Sequence, residues 1–179
     1  MVDPAWGPFL FDTSAESWLG RTEQPEALDW MRKYLSRHQV HISAVTVMER
    51  VRGYSLLWRR AREDQRSYIE AARVACLARL GRVWALDGAV AVVSGEIMAM
   101  LPNPPSPPRR SHQLAESRQD RLARWRFDGM IAATALVARM PLVPTTPGDF
   151  ESIRNAVERS PERFPKLGPL HLIRCASLA

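Results

Sequence analysis

Four acidic residues carry the chemistry open to this sequence: Asp12, Glu49, Asp128 and Asp149. Carboxylates gathered in one place cannot all stay ionised without compensation, because like charges raise one another's pKa. A divalent cation removes that repulsion, and oxygen-only donors suit Mg2+ or Mn2+. Such an ion lowers the pKa of a bound water and offsets charge building on a phosphodiester. The chemistry this points to is hydrolysis of a polyanion. The charge balance agrees: 25 Lys and Arg stand against 19 Asp and Glu, for a net charge of +6. Lys33 and Lys166 are the only lysines. Arginine forks onto phosphate oxygens in a way lysine cannot, so this surface fits nucleic acid. A general compositional preference for Arg, Ala and Pro produces the same count.

The elements that must position the four acids follow from apolar patterning. Phe9–Phe11 predicts a buried strand ending on Asp12, with a helix starting at Thr13 and Ser14. Pro25 opens a second helix, with Ala27, Leu28, Met31, Tyr34 and Leu35 at helical spacing. Val40–Ala44 predicts a second strand. Its following helix carries Glu49 in the first turns and ends near Gly53 and Tyr54. Arg62–Gly81 predicts a long amphipathic helix, Val83–Leu86 a third strand and Ala89–Leu101 another helix. Pro102–Pro108 cannot continue that helix, because proline lacks the backbone donor. With the charged run Arg109–Arg126 it reads as an insertion over 102–126. Phe127–Met140 predicts an apolar helix with Asp128 in its first turn. Leu142–Val143 is a short strand, Asp149 follows in a turn, Glu151–Arg159 is helical and Leu170–Ile173 closes as a last strand.

Strands alternating with helices argue an α/β fold with a mainly parallel sheet covered on both faces. In such sheets ligands bind outside the carboxyl ends of the strands, where all four acids fall. Each also has a structural reading. Asp12 can cap the helix at Thr13, Thr46–Glu49 matches a capping box, Asp128 favours a helix N-terminus, and Asp149 can cap the next helix. Their conjunction at one edge is what the functional reading rests on. The chain's 179 residues suit one domain spanning 1–179. Cys76 and Cys175 form no metal-binding or disulfide pattern. The histidines lack zinc-ligand spacing. No signal peptide is expected at the N-terminus, and no run approaches the ~18 apolar residues of a membrane span. A cytoplasmic protein is expected. Glycine-rich nucleotide loops are absent. The position two after Asp12 is Ser14, which excludes a phosphatase of the haloacid-dehalogenase kind.

Four segments resemble the motifs of PIN domains. Phe9-Leu-Phe-Asp12-Thr-Ser is similar to the first motif, and Ser43-Ala-Val-Thr46-Val-Met-Glu49 to the second. Phe127-Asp128-Gly-Met-Ile-Ala-Ala-Thr-Ala135 is the most specific likeness. Leu142-Val-Pro-Thr-Thr-Pro-Gly-Asp149-Phe resembles the last motif, with Pro144 and Thr146 where many relatives carry Thr and then Asn or Asp. Order and spacing agree over nearly the whole chain, and the likeness is greatest to VapC-type toxins. The resemblance implies a three-layer α/β/α sandwich around a parallel sheet of about five strands. It implies an Mg2+-dependent endoribonuclease, with Asp12, Glu49, Asp128 and Asp149 as metal ligands. Asp12 and Asp128 would hold the principal metal. Glu49 would complete the site or orient the water, and Asp149 would bind a second ion or an outer-sphere water. Thr13, Ser14 and Thr146 would support them with hydrogen bonds. A homodimer and a cognate antitoxin are implied as partners besides RNA. Within the insertion, Arg109, Arg110, Arg118, Arg121, Arg124 and Arg126 are candidates for RNA phosphates, and Trp125 for stacking on a base; the competing reading is a solvated loop and helix face. Trp18, Leu19, Trp30, Met31 and Trp58 either line a groove for a partner helix or belong to the core. A PIN domain that binds RNA or protein without cutting is the alternative function, and nothing in the residues separates RNA from DNA as substrate.

Overall fold

The computed structural model describes residues 3–19, 23–105, 107, 110–111 and 114–173. Phe9, Leu10 and Phe11 are all buried, but their side chains part to opposite faces, as strand geometry requires. Phe9 and Phe11 join one apolar cluster and Leu10 the other. That alternation builds the first strand, β1 (Leu10–Phe11), into the middle of a parallel sheet.

Helices α1 (Thr13–Leu19) and α2 (Pro25–Leu35) lead from β1 to β2 (His41–Ser43). Helices α3 (Ala44–Arg60) and α4 (Glu63–Ala78) lead on to β3 (Arg82–Trp84), followed by α5 (Gly88–Met100). A short antiparallel pair, β4 (Arg110–Ser111) and β5 (Leu114–Ala115), precedes α6 (Arg118–Ala138). The chain then forms β6 (Leu142–Val143) and α7 (Gly148–Arg159). The main sheet runs β3-β2-β1-β6, every pair parallel. Among the described residues the main sheet has four strands where about five were expected. The expected strand at Leu170–Ile173 makes only a single bridge, Leu172 to Leu142.

The sheet is covered on both sides, which makes three layers. One core packs Leu10 and Leu142 against Val90, Ile97, Trp125, Ile131 and Phe150 of the following helices. The other packs Phe9, Phe11, Ile42 and Val143 against Trp30 and Tyr34 of α2. There the Phe9, Trp30 and Tyr34 rings stack, and the Tyr34 hydroxyl accepts the Phe9 amide at 3.0 Å. Trp30 is therefore core, with Trp18 and Met31 packed beside it. The side chain of Leu19 lies outside the described residues. Trp58 is partly exposed and carries the Arg66 guanidinium 4.6 Å from its ring centre.

Two helix boundaries differ from the sequence reading. α3 passes through Gly53 and Tyr54 to Arg60, since one glycine costs a helix only about 1 kcal/mol. α6 begins at Arg118, nine residues before Phe127, with Ser117 as its cap accepting the Asp120 amide at 3.0 Å. The last nine residues of the stretch read as an insertion are thus helical, and Asp128 sits in the middle of a helix. Hydrophobic run length hid this start: between Arg118 and Arg126 arginines recur, and Trp125 is the one fully buried apolar side chain. Trp125 is 2% exposed, and its indole N–H donates to the Leu101 carbonyl at 2.9 Å. It is not available to a base.

Candidate metal centre

Strand order decides where a ligand can sit. From β1 the chain proceeds through β2 to β3 on one side, whereas β6 pairs on the other. The carboxyl ends of β1 and β6 therefore flank the switch point of the sheet, where a crevice opens. Asp12 follows β1 and its amide donates to the Val143 carbonyl of β6 at 3.1 Å. Asp149 lies in the first turn of α7, just after β6.

Asp12, Glu49, Asp128 and Asp149 line one cleft of about 90 Å³, together with Thr13, Ser14, Arg124, Ile131, Thr146 and Phe150. Asp12 is buried, and its carboxylate accepts the Ala15 amide, so it also serves as the cap its sequence position allowed. Glu49 accepts the Thr13 hydroxyl. The capping box suggested for Thr46–Glu49 is not formed: Ser43 caps α3, accepting the Val45 amide at 3.3 Å. Asp149 is not the N-cap of α7: that position is Pro147, and Asp149 lies inside the first turn. Ser14 and Thr146 are largely exposed at the rim.

Electrostatics mark the cleft as short of positive charge. Burial, reinforced by the Asp149 and Glu49 carboxylates, pushes Asp128 up to about 8. Burial also pushes Asp12 up to about 6, against the lowering effect of backbone amides from Ala15 and Thr145. Among the described cleft residues the cation is Arg124. Its Nη1 donates to Asp149 Oδ2 at 2.9 Å and lies 3.9 Å from Asp128 Oδ2. Its Nε and Nη2 each donate to the Glu116 carboxylate at 3.1 Å.

This corrects the assignment of Arg124 to RNA phosphate: it is turned into the acidic cleft. Arg121 also turns inward, donating to the Pro104 carbonyl at 2.8 Å. Arg118 and Arg126 are exposed. Arg109 and the side chain of Arg110 lie outside the described residues. Glu116 was not singled out in the sequence. Arg124 carried one usable signal, its spacing of four residues before Asp128 on a shared helix face.

The donor set suits a hard divalent cation: oxygen atoms only, largely buried, with unmet demand for positive charge. As arranged, no three His, Cys, Asp or Glu side chains among the described residues are grouped to hold an ion. Arg124 stands against two of the four acids.

A raised carboxyl pKa favours the folded state while the group is protonated. An unfolded aspartate titrates near 3.9, and folded Asp128 near 8. Between those values folding takes up a proton, so stability falls as pH rises and levels off above about 8. In the metal-free protein, Asp128→Asn should raise the melting temperature at pH 8.5 and change it little at pH 4. Melting curves across that range check this; a difference between variant and wild type that does not grow with pH contradicts it.

The fold and the acidic cleft together describe an α/β/α protein with its carboxylates at a sheet switch point. The PIN domain family profile matches residues 9–156, and the chain belongs to that family, whose members are generally nucleases. No curated protein matches the chain. Solved structures share the fold. VapBC2 from Rickettsia felis, bound to a DNA fragment from its promoter, has a TM-score of 0.58 at 14% identity, covering 93% of this chain and 97% of that one. DNA-bound VapBC from Salmonella typhimurium has a TM-score of 0.52 at 17% identity, covering 93% and 97%. FitAcB from Neisseria gonorrhoeae has a TM-score of 0.52 at 19% identity, covering 94% and 99%. Among the described residues no helix is long and apolar enough to cross a membrane.

Proposed function

We propose that this protein is a metal-dependent endoribonuclease and the toxin of a toxin–antitoxin pair. The observation that carries the reading is the convergence of Asp12, Glu49, Asp128 and Asp149 on one cleft at the switch point. Asp12 and Asp128 would hold the principal Mg2+ or Mn2+, with Glu49 and Asp149 completing its surroundings. A bound ion of this kind supplies an activated water and neutralises charge on the scissile phosphate. The chain's own residues set up that chemistry. The Ala15 amide fixes the Asp12 carboxylate, and Thr13 orients Glu49 through its hydroxyl. Arg118 and Arg126, exposed on the helix that bears Asp128, are suited to RNA phosphates.

The partner reading is supported by the solved neighbours, which are toxin–antitoxin complexes, and by apolar side chains left in solvent. Met48, Leu57 and Trp58 on α3, with Tyr68 and Val74 on α4, are exposed. Surfaces of this kind favour burial against a second chain, whether an antitoxin or another copy. The whole chain is read as one domain.

The test is cleavage of a structured RNA pool with Mg2+ or Mn2+, comparing wild type with Asp12→Asn and Asp128→Asn. A wild type that cuts no better than the variants defeats the catalytic reading. A parallel single-stranded DNA substrate separates RNA from DNA cleavage. One observation favours a second reading, a PIN domain that binds without cutting: Arg124 already pairs with Asp149. Melting with and without ion distinguishes them, because an ion that binds the folded state raises its stability by about 2.7 kcal/mol at roughly 100 times its Kd.

A further inference from the structure

We infer that Arg124 is an internal competitor of the divalent ion, and that Glu116 governs how strongly it competes. The inference rests on the metal-dependent reading above and concerns this chain's own residues.

The Arg124 side chain is 14% exposed, as closely enclosed as the acids around it. Its guanidinium serves two masters. The Nε and Nη2 edge forks onto Glu116, the bidentate geometry a guanidinium favours. The remaining Nη1 reaches Asp149 at 2.9 Å and approaches Asp128 at 3.9 Å. Asp128 and Asp149 are two of the acids assigned to the ion. An ion held by them would repel the guanidinium and compete with Nη1 for the Asp149 carboxylate. Arginine cannot escape by losing a proton. The side chain has to withdraw from Asp149, and the fork to Glu116 is where it can remain.

Two consequences follow, and the first is one that a merely supporting arginine would not produce. Removing the guanidinium frees Asp128 and Asp149 and tightens ion binding. Removing the charge of Glu116 commits the guanidinium to the cleft and weakens ion binding. Glu116 lies before α6 and outside the cleft lining, so it has no direct claim on the ion. If Arg124 instead held the acids in position for the ion, both changes would weaken binding.

The experiment is a Mn2+ titration of the full chain, followed by the electron paramagnetic resonance signal of free aqueous Mn2+. Wild type, Arg124→Gln, Arg124→Lys and Glu116→Gln are compared, each first melted without metal to establish folding. Hydrogen bonds to charged groups set the scale, so Arg124→Gln is expected to bind about tenfold tighter or more, and Glu116→Gln several-fold weaker, than wild type. Arg124→Lys is expected between Arg124→Gln and wild type, because a compact ammonium cannot fork onto Glu116 and reach Asp149 together. If Arg124→Gln does not fold, the order of Arg124→Lys, wild type and Glu116→Gln decides. Uptake by wild type with the arginine variants no tighter overturns the competition alone. A Glu116→Gln variant that binds tighter than wild type also overturns it. No uptake by any variant overturns the metal-dependent reading itself, and the competition with it.

Discussion

Asp128→Asn is expected to lower Mg2+- or Mn2+-dependent RNA cleavage on the order of 10²–10³-fold, the scale of losing one preorganised electrostatic contributor to a transition state. The same substitution should leave the fold at least as stable. Asp128 is held near 8 by burial and by neighbouring carboxylates, so its ionised form is a burden on the metal-free protein at neutral pH and above. Asparagine keeps the shape and removes the charge. Activity and stability therefore move in opposite directions, which separates loss of chemistry from loss of fold. Asp12→Asn should lose cleavage to a similar degree, but it is the less clean variant. The Asp12 carboxylate accepts backbone amides, including that of Ala15, and an amide nitrogen placed toward those donors cannot accept them. The decisive comparison is single-turnover cleavage of one RNA by wild type and both variants, alongside their melting curves. Full activity in Asp128→Asn would remove Asp128 from the chemistry.

The second large effect is on stability. Trp125→Ala is expected to cost about 3–5 kcal/mol, the range for deleting a large aromatic side chain from a core. Trp125 is 2% exposed and packs within the cluster that joins α5, α6 and α7 to the sheet. Its indole N–H also satisfies the Leu101 carbonyl at the end of α5. Trp125→Phe keeps most of the apolar volume but leaves that carbonyl without its donor, and should cost about 1–3 kcal/mol. Chemical denaturation of the three proteins measures both. Because Trp125 holds the stretch of α6 next to Arg124, Trp125→Ala should reduce cleavage at temperatures where the wild type is folded and the variant is not. A Trp125→Ala protein with unchanged stability and weakened RNA binding would return this residue to a role in stacking on bases.

Local periodicity made most of the fold legible. Phe9 to Phe11 and Leu142-Val143 read as short buried strands because continuous apolar runs of that length, bounded by turn residues, fit a sheet covered on both faces. Asp12, Glu49 and Asp149 were placed at strand ends or early helix turns by the same reading, and their convergence followed from the strand order. The start of α6 was not legible. From Arg118 to Arg126 arginines recur on both faces and Trp125 is the one fully buried apolar side chain, so the apolar pattern that identifies a helix begins only near Phe127.

The sequence by itself determined the alternation of strands and helices, the PIN motifs and the four acidic positions, because each depends on residue type and short-range spacing. Only the tertiary structure decided the partners of Arg124. An arginine meant for RNA and one turned into an acidic cleft are the same residue in the same kind of basic run. What separates them is that Glu116 lies eight residues before it and Asp149 twenty-five residues after it. The packing of α6 against α7 and the switch point brings those distant charges to a single guanidinium, and no local pattern records that meeting.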